Sequence, residues 1–461
     1  MSNFWDYNVW GSILLFSVLL GSLLVGKILR KAIPGLRDSL IPTSVLGGGV
    51  LIIVAAIYKA ISGNVMFDEP IFGGNGTGML EIITYHTLAL GFIASTLKTS
   101  DTKLTKQRTV EIFNTGVTTV ATYLIQAIVG MGITLIAAMV LTDFFPAAGV
   151  LLPFGFGQGT GQAMNYGNIY EMDHGFVGGK SFGLTIAALG FLSASIGGVI
   201  HLNVMKKKGR LPQKPVDQLN NERIEEENEI PMQESVDKIT VQIALVFVAY
   251  LVAYGLMALL GNLIPGMKAT IYGFNFLLGV LAATLTKAVL KWLNKTRLVR
   301  RTHTNNFLLT RISNFFFDVM VVAGVAAIRL DVLESYWGLM LILGGAGLVI
   351  TYAYNRIVVK VLFKDYPEEQ FMAMYGMLTG TASTGIILLR EIDGDFKTPA
   401  ADNLVYQNFP AIAFGFPMML LASLAPVEPM LTFIIFIAFF AVMNVILFRN
   451  QIFRRKKKIS L

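Results

Sequence analysis

Residues 155–167 read Gly155-Phe-Gly-Gln-Gly-Thr-Gly-Gln-Ala-Met-Asn-Tyr-Gly167 and lie between apolar runs at residues 116–141 and 182–205. Each run is long enough for the roughly 20 residues that a helix needs to cross a bilayer core. The stretch between them makes a poor lipid-facing helix, because Gly costs about 1 kcal/mol in a helix interior and lipid excludes uncovered, unpaired backbone. We therefore interpret residues 144–179 as a re-entrant hairpin, which enters and leaves the membrane on one face.

A second stretch of this kind, Gly376-Met-Leu-Thr-Gly-Thr-Ala-Ser-Thr-Gly385, lies within residues 365–399. The same argument predicts a second re-entrant hairpin there. From the charges of the flanking loops, we expect the first hairpin to enter the membrane from outside and the second to enter it from inside.

The composition is that of a membrane protein. Apolar residues fill 54% of the 461 positions and charged residues 14%, with a mean hydropathy of +0.62, whereas soluble domains are about 25% charged. The chain has no Cys, which excludes disulfides, thiolate metal sites and cysteine nucleophiles. Because the N-terminus carries Asp6 and no basic segment, we expect a retained first helix and not a cleaved signal.

Eleven apolar stretches qualify as transmembrane helices, so we expect an all-α polytopic membrane protein. They lie at residues 9–29, 41–61, 79–97, 116–141, 182–205, 240–264, 271–293, 307–328, 337–363, 408–425 and 429–448.

The basic residues orient these helices. The net charge of +8 could indicate a nucleic-acid binder, but Lys and Arg form short clusters between apolar runs, as the positive-inside rule describes. Provided that neither hairpin crosses, all clusters fall on one face, for example Lys206, Lys207, Lys208 and Arg210. The N-terminus is then expected outside and the C-terminus inside.

The two halves of the chain repeat the same order of elements in opposite orientation. Residues 1–205 form a first repeat of five helices with its hairpin, residues 206–239 a cytoplasmic linker with a cluster of Glu, and residues 240–425 a second repeat. Residues 426–461 add an eleventh helix and a basic tail. Inverted repeats are typical of secondary transporters, whose substrate site lies at the repeat interface.

The hairpins resemble those of the bacterial sodium/glutamate symporter family, and the resemblance spans nearly the whole chain. It rests on Gly157-Gln-Gly-Thr-Gly161 followed by Gln162 and Ala163, on Gly376–Gly385, and on Ile41-Pro42 followed by Gly47-Gly48. The chain departs from the family pattern in its eleventh helix and in Gln158, where a His is expected.

The resemblance implies a transporter, not an enzyme: a sodium-coupled symporter that takes up L-glutamate across the inner (cytoplasmic) membrane, with an elevator-like movement. It implies no cofactor beyond sodium as the coupling ion. The expected partners are glutamate, sodium and the lipid bilayer, without nucleic acid, and a homodimer is one possible assembly.

Candidate binding residues in the first hairpin are Gln158, Gly159, Gly161, Gln162 and Asn165. In a broken helix, exposed backbone amides and carbonyls can replace the hydration of a carboxylate and of sodium. The alternative is that these glycines only allow close helix packing.

Candidates in the second hairpin are Thr379, Gly380, Thr381, Ser383 and Thr384. Sodium prefers oxygen ligands, so the hydroxyls of Thr381, Ser383 and Thr384 are the candidate sodium ligands. Alternatively, these hydroxyls bond to their own backbone carbonyls.

Two charged residues complete the candidate set. Arg390 follows the second hairpin, and its guanidinium suits a carboxylate, although it could equally anchor the hairpin. Asp318 lies inside an apolar helix, where an ionisable group indicates ion coupling or protonation, or else a structural pair with Arg311.

Other functions are less consistent with the sequence. A carrier of aspartate, malate or citrate, or a proton-coupled exchanger, stays open at this point. A membrane enzyme or sensor is disfavoured, because the four histidines lack metalloprotease spacing, no phosphate-binding loop is present, and a linker of about thirty residues is too short for an output domain.

Overall fold

A computed structural model describes residues 3–38, 40–98, 105–141, 144–209, 237–296, 304–393 and 397–452, and within these ranges the chain is helical and has no strand. The α-helices are α1 (Tyr7–Ala32), α2 (Pro34–Asp38), α3 (Thr43–Ser62), α4 (Gly76–Leu97), α5 (Lys106–Val140), α6 (Leu151–Gln158), α7 (Thr160–His174), α8 (Gly179–Lys207), α9 (Lys238–Leu263), α10 (Lys268–Gly273), α11 (Asn275–Lys295), α12 (Asn306–Ala326), α13 (Trp337–Leu362), α14 (Pro367–Thr379), α15 (Ala382–Arg390), α16 (Ala400–Tyr406), α17 (Asn408–Leu424) and α18 (Pro429–Leu447).

The predicted membrane helices are confirmed. Ten helices of the described part are long and apolar enough to cross a membrane, and α16 with α17 forms an eleventh candidate, bent by 49°. The tenth predicted stretch, 408–425, corresponds to α17, which qualifies as a membrane span together with α16. Most of the predicted linker (210–236) and the basic tail from residue 453 lie outside the described residues.

One group of helices, which we call the first bundle, contains α1, α3, α4 and α9 to α12. Small residues let its helices approach closely. A Cβ on Gly26 of α1 would lie 2.9 Å from the Gly47 nitrogen of α3, and a Cβ on Gly48 would lie 2.6 Å from Val325 of α12. The Gly47-Gly48 pair therefore allows α3 to pack closely against both α1 and α12.

The remaining long helices form the second bundle, which contains α5 to α8 and α13 to α18. Here α8 packs against α6, α7, α13 and α14. The helix α18 packs along α5, and Asn444 of α18 accepts a hydrogen bond from the Tyr354 hydroxyl of α13 at 3.0 Å. The eleventh helix is thus part of this bundle and not an appendage.

Both glycine-rich segments fold back on themselves. In the first, Phe154 of α6 and Tyr166 of α7 stack with ring centroids 4.0 Å apart. In the second, a Cβ on Gly376 of α14 would lie 2.8 Å from the Gly385 Cα of α15. In each segment the two contacting residues lie on opposite sides of a break in the helix, between α6 and α7 and between α14 and α15. These two helix pairs are therefore helical hairpins.

Candidate functional site

The two hairpins meet at their helix breaks. The first break is at Gly159, whose φ of 81° and ψ of −173° suit only glycine. The second lies at Gly380 and Thr381, between the end of α14 and the start of α15. A Cβ on Gly159 would lie 3.4 Å from the Thr381 Cγ2 and 3.8 Å from the Gly380 carbonyl oxygen. The two breaks therefore lie in contact with each other inside the second bundle.

Helix α5 contacts both hairpins within one turn. The Tyr123 hydroxyl donates to the Gly157 carbonyl at 3.0 Å, and the Gln126 amide donates to the Leu378 carbonyl at 2.9 Å. Each carbonyl lies two residues before its break, where the intrahelical hydrogen bonds run out. A single rigid helix thus fixes the positions of both breaks.

A cavity of about 130 Å³ opens beside the two breaks. Gln158 and Gln162 line it from the first hairpin, Gly380 and Thr381 line it from the second, and Gln407 and Asn408 line it from the bend between α16 and α17. Aromatic and Met side chains form much of the remaining wall, and no Asp, Glu, Lys, Arg or His is among the described lining residues. The described wall thus combines an apolar surface with neutral polar groups and carries no charge of its own.

Three helices begin at this cavity, namely α7 at Thr160, α15 at Ala382 and α17 at Asn408. A helix N-terminus presents free N–H groups and a partial positive charge, which favour an anion. Two helices, α6 and α14, end at the same place with the opposite polarity. The arrangement can hold an anion and a cation near one another without a charged side chain.

Two buried amide atoms in the cavity wall lack hydrogen-bond partners among the described residues. The Nε2 of Gln162 has none, although its Oε1 accepts from Asn165 at 2.9 Å. The Oε1 of Gln407 has none, although its Nε2 donates to the Asn408 Oδ1 at 3.1 Å. With exposed fractions of only 1% and 2%, these side chains offer one unused donor and one unused acceptor to a ligand.

The predicted residues of the first hairpin divide into lining and supporting groups. Gln158 and Gln162 line the cavity. Asn165 lies behind them and holds Gln162 while also donating to the Gly273 carbonyl of the first bundle. A Cβ on Gly161 would lie 3.0 Å from Leu88 of α4, so this glycine serves the contact between the bundles.

In the second hairpin the structure shows hydroxyls bonded within their own helices. The Thr379 hydroxyl donates to the Tyr375 carbonyl at 2.6 Å, and Thr381 caps α15 by accepting from the Thr384 N–H at 3.4 Å. Of these, Thr381 lines the cavity together with Gly380. The side chain of Ser383 lies outside the described part of the structure.

The two charged candidates do not line the cavity. Asp318 lies on α12 and faces Ser44 of α3, and no described ion pair joins it to Arg311, whose guanidinium lies 5.1 Å from the Phe307 ring centroid. Arg390 is exposed at the end of α15. The geometry thus separates both from the helix breaks.

Gln407, Asn408 and Tyr123 also line the cavity, and none of them was predicted from the sequence. The pair Gln407-Asn408 stands between the short apolar run at residues 404–406 and the long apolar run that begins at Phe409. That interruption was the available signal, since a polar pair at membrane depth indicates a helix break or a ligand.

A second cavity adjoins the first and shares Phe92, Ser95, Asn408 and Ile412 with it. Its wall carries Lys98 and Lys287, and the Lys287 ammonium donates to the Lys98 carbonyl at 2.7 Å. Burial lowers the pKa of Lys98 below its usual value. These cations lie beside the first cavity, not within its wall, and their charge favours an anion that passes between the two.

A sequence model of the sodium/glutamate symporter family matches residues 8–396, well over half of the chain. The match includes both hairpins and ends before α16. No curated protein matches the chain.

Proposed function

The chain belongs to the sodium/glutamate symporter family, and from this membership we propose that glutamate binds in the cavity where the two helix breaks and the bend between α16 and α17 meet. The protein is a multi-pass membrane transporter that moves glutamate with sodium. One observation carries the location of the site: a cavity whose described wall has no charged side chain holds, at three helix N-termini, a buried donor and a buried acceptor that no other described residue uses.

Glutamate matches this arrangement group by group. Its two carboxylates suit the N-termini of α7 and α15, where backbone N–H groups favour anions, and the Gln162 Nε2 supplies a side-chain donor. Its ammonium suits the Gln407 Oε1. Malate and citrate have no ammonium, so the unused acceptor favours an amino acid over the other carboxylates.

Sodium is proposed to bind on the cation-favouring side of the same breaks. The α6 and α14 helices end there, and C-terminal carbonyls of broken helices coordinate coupling ions in transporters. Thr381, Ser383 and Thr384 remain the proposed hydroxyl ligands from the second hairpin. The cap geometry of Thr381 leaves its oxygen beside the cavity.

We further propose that residues 1–205 and 240–425 are inverted repeats, that both hairpins are re-entrant, and that the N-terminus is outside the inner membrane. The described helices support this: in each half, four long helices precede a broken hairpin and a further long helix or bent pair follows it. The second bundle would move against the first across the contacts of α7 with α4, α10 and α12. Assembly as a homodimer stays a prediction.

Transport by purified protein in liposomes tests the function. We expect uptake of labelled glutamate under an inward sodium gradient, abolished when potassium replaces sodium and retained when only the proton gradient is collapsed. Unlabelled aspartate should compete better than malate or citrate because it keeps the ammonium. Uptake driven equally well by protons without sodium would contradict the proposal.

A further inference from the structure

Helices α5 and α13 bring four fully buried polar side chains together away from the substrate cavity. Thr122 and Gln126 belong to α5, and Thr351 and Asn355 belong to α13; all four have an exposed fraction of 0%. The Gln126 Nε2 donates to the Thr351 hydroxyl at 2.8 Å, and the Asn355 Nδ2 donates to the Thr122 hydroxyl at 3.4 Å. These two cross-helix bonds define one compact cluster, which we call the α5–α13 cluster.

The cluster has unused acceptors and no amide donor left to meet them. Both protons of the Gln126 amide are engaged, one by Thr351 and one by the Leu378 carbonyl. Both protons of the Asn355 amide are engaged as well, by Thr122 and by the Thr351 carbonyl. The Gln126 Oε1 and the Asn355 Oδ1, however, are buried without a hydrogen-bond partner among the described residues.

A cation satisfies such a surplus of oxygen lone pairs. Buried acceptors are normally paired, and hard cations are bound by carbonyl and hydroxyl oxygens. The nearby α14 helix ends at Thr379, so the Leu378 carbonyl also contributes the negative end of a helix dipole. All side chains of the cluster are neutral, which favours a monovalent ion over a divalent ion that would call for carboxylates.

We propose that the α5–α13 cluster is a sodium site, in which the Gln126 Oε1, the Asn355 Oδ1, the hydroxyls of Thr122 and Thr351 and the Leu378 carbonyl bind the ion. The inference rests on the sodium-coupled function proposed above. It adds a site that is distinct from the hydroxyls of the second hairpin.

The position of the cluster explains how sodium could act on glutamate. Leu378 lies two residues before Gly380, which lines the substrate cavity with Thr381. An ion bound to the Leu378 carbonyl adds to the hydrogen bond from Gln126 and so holds the end of α14, and with it the second break, more firmly. Because linkage is reciprocal, glutamate in the cavity then raises the sodium affinity of the cluster by the same factor.

The test is a sodium titration of glutamate binding, together with direct binding of radiolabelled sodium, on the purified full chain. Asn355→Leu and Thr351→Val remove one ligand oxygen each while nearly preserving volume. Each should raise the half-saturating sodium concentration about tenfold or more, equivalent to about 1.4 kcal/mol, and glutamate binding should recover at saturating sodium. Asn355→Asp should lower it, because a carboxylate binds the cation more strongly.

Asn403→Leu is the matched control. Asn403 is also fully buried, and its Oδ1 also has no hydrogen-bond partner among the described residues, but it belongs to a separate group with Gln370 and Tyr366. The Asn403→Leu substitution should leave the sodium titration of glutamate binding unchanged.

The outcomes separate this site from the symport function itself. A wild-type protein whose glutamate binding ignores sodium would refute the function. A sodium-dependent wild type with unchanged titrations in Asn355→Leu and Thr351→Val would refute only the site, as would an equal shift in Asn403→Leu. If Asn355→Leu fails to elute as folded protein, the smaller change Thr351→Val decides.

Discussion

Replacing Gly159 by Ala should weaken glutamate binding without a steric clash. The added Cβ would lie 3.4 Å from the Thr381 Cγ2, an ordinary contact. The backbone, however, has φ 81° and ψ −173°, a conformation that is essentially restricted to glycine. The free-energy cost of the substitution therefore comes from backbone strain at the break.

The size of the effect follows from that strain. An L-residue held in such a region costs about 1–3 kcal/mol, and a relaxed break no longer matches Thr381 of the second hairpin. If only the strained form binds glutamate, the strain lowers the fraction of the protein in that form, and the apparent glutamate affinity falls with this fraction. The half-saturating glutamate concentration should then rise about 5- to 150-fold, at every sodium concentration.

Gly175→Ala provides the matched control at the other end of α7. Gly175 has φ 71° and no atom within 4 Å of its would-be Cβ, so alanine there costs about 1–2 kcal/mol of left-handed strain. Isothermal titration with glutamate at saturating sodium should show wild-type affinity for this variant and the loss for Gly159→Ala. Wild-type affinity in Gly159→Ala would refute the role of the break.

Three further outcomes are expected. Gln407→Leu should weaken glutamate by about 1.5–3 kcal/mol while leaving the affinity for glutarate, which has no ammonium, nearly unchanged; an equal loss for both ligands in competition assays would exclude Gln407 as the ammonium acceptor. Thr381→Ala and Thr384→Ala should raise the sodium concentration for half-maximal glutamate binding, and Thr381→Ala should also cost about 1 kcal/mol of helix capping; unchanged sodium titrations would limit these hydroxyls to capping. Glu226→Cys in the cysteine-free chain should react with an impermeant thiol reagent only after the cells are permeabilised, and labelling of intact cells would reverse the proposed orientation.

The sequence was sufficient for the helices and for the two breaks. Apolar runs of spanning length predict membrane helices directly, and the glycines around Gly159 and Gly380 mark where helix cannot continue in lipid. The neighbour of each glycine could not be predicted. Gly157 faces the Tyr123 ring and Gly161 faces Leu88, contacts that depend on tertiary packing between distant helices.

The polar stripe of α5 was visible in the sequence but was not used. Thr118, Thr122 and Gln126 recur every four residues in a long apolar run, the spacing of one helix face. Whether such a face meets lipid, another helix or an ion depends on the partner, here Thr351 and Asn355 of the other half of the chain. The opposite holds for Arg390. Its charge beside the second glycine-rich segment predicted a ligand, but the side chain lies away from the cavity.

The absence of charged side chains from the described cavity wall bears on how membrane voltage acts during transport. Moving one elementary charge through the field is worth about 2.3 kcal/mol per 100 mV. In the proposed cycle, the charge carried at the site is that of the bound ions alone: zero for one sodium with glutamate, and plus one for two. The empty site returns without moving charge there, so voltage accelerates the loaded step only when two sodium ions accompany glutamate, and it leaves the return step to diffusion between the two positions.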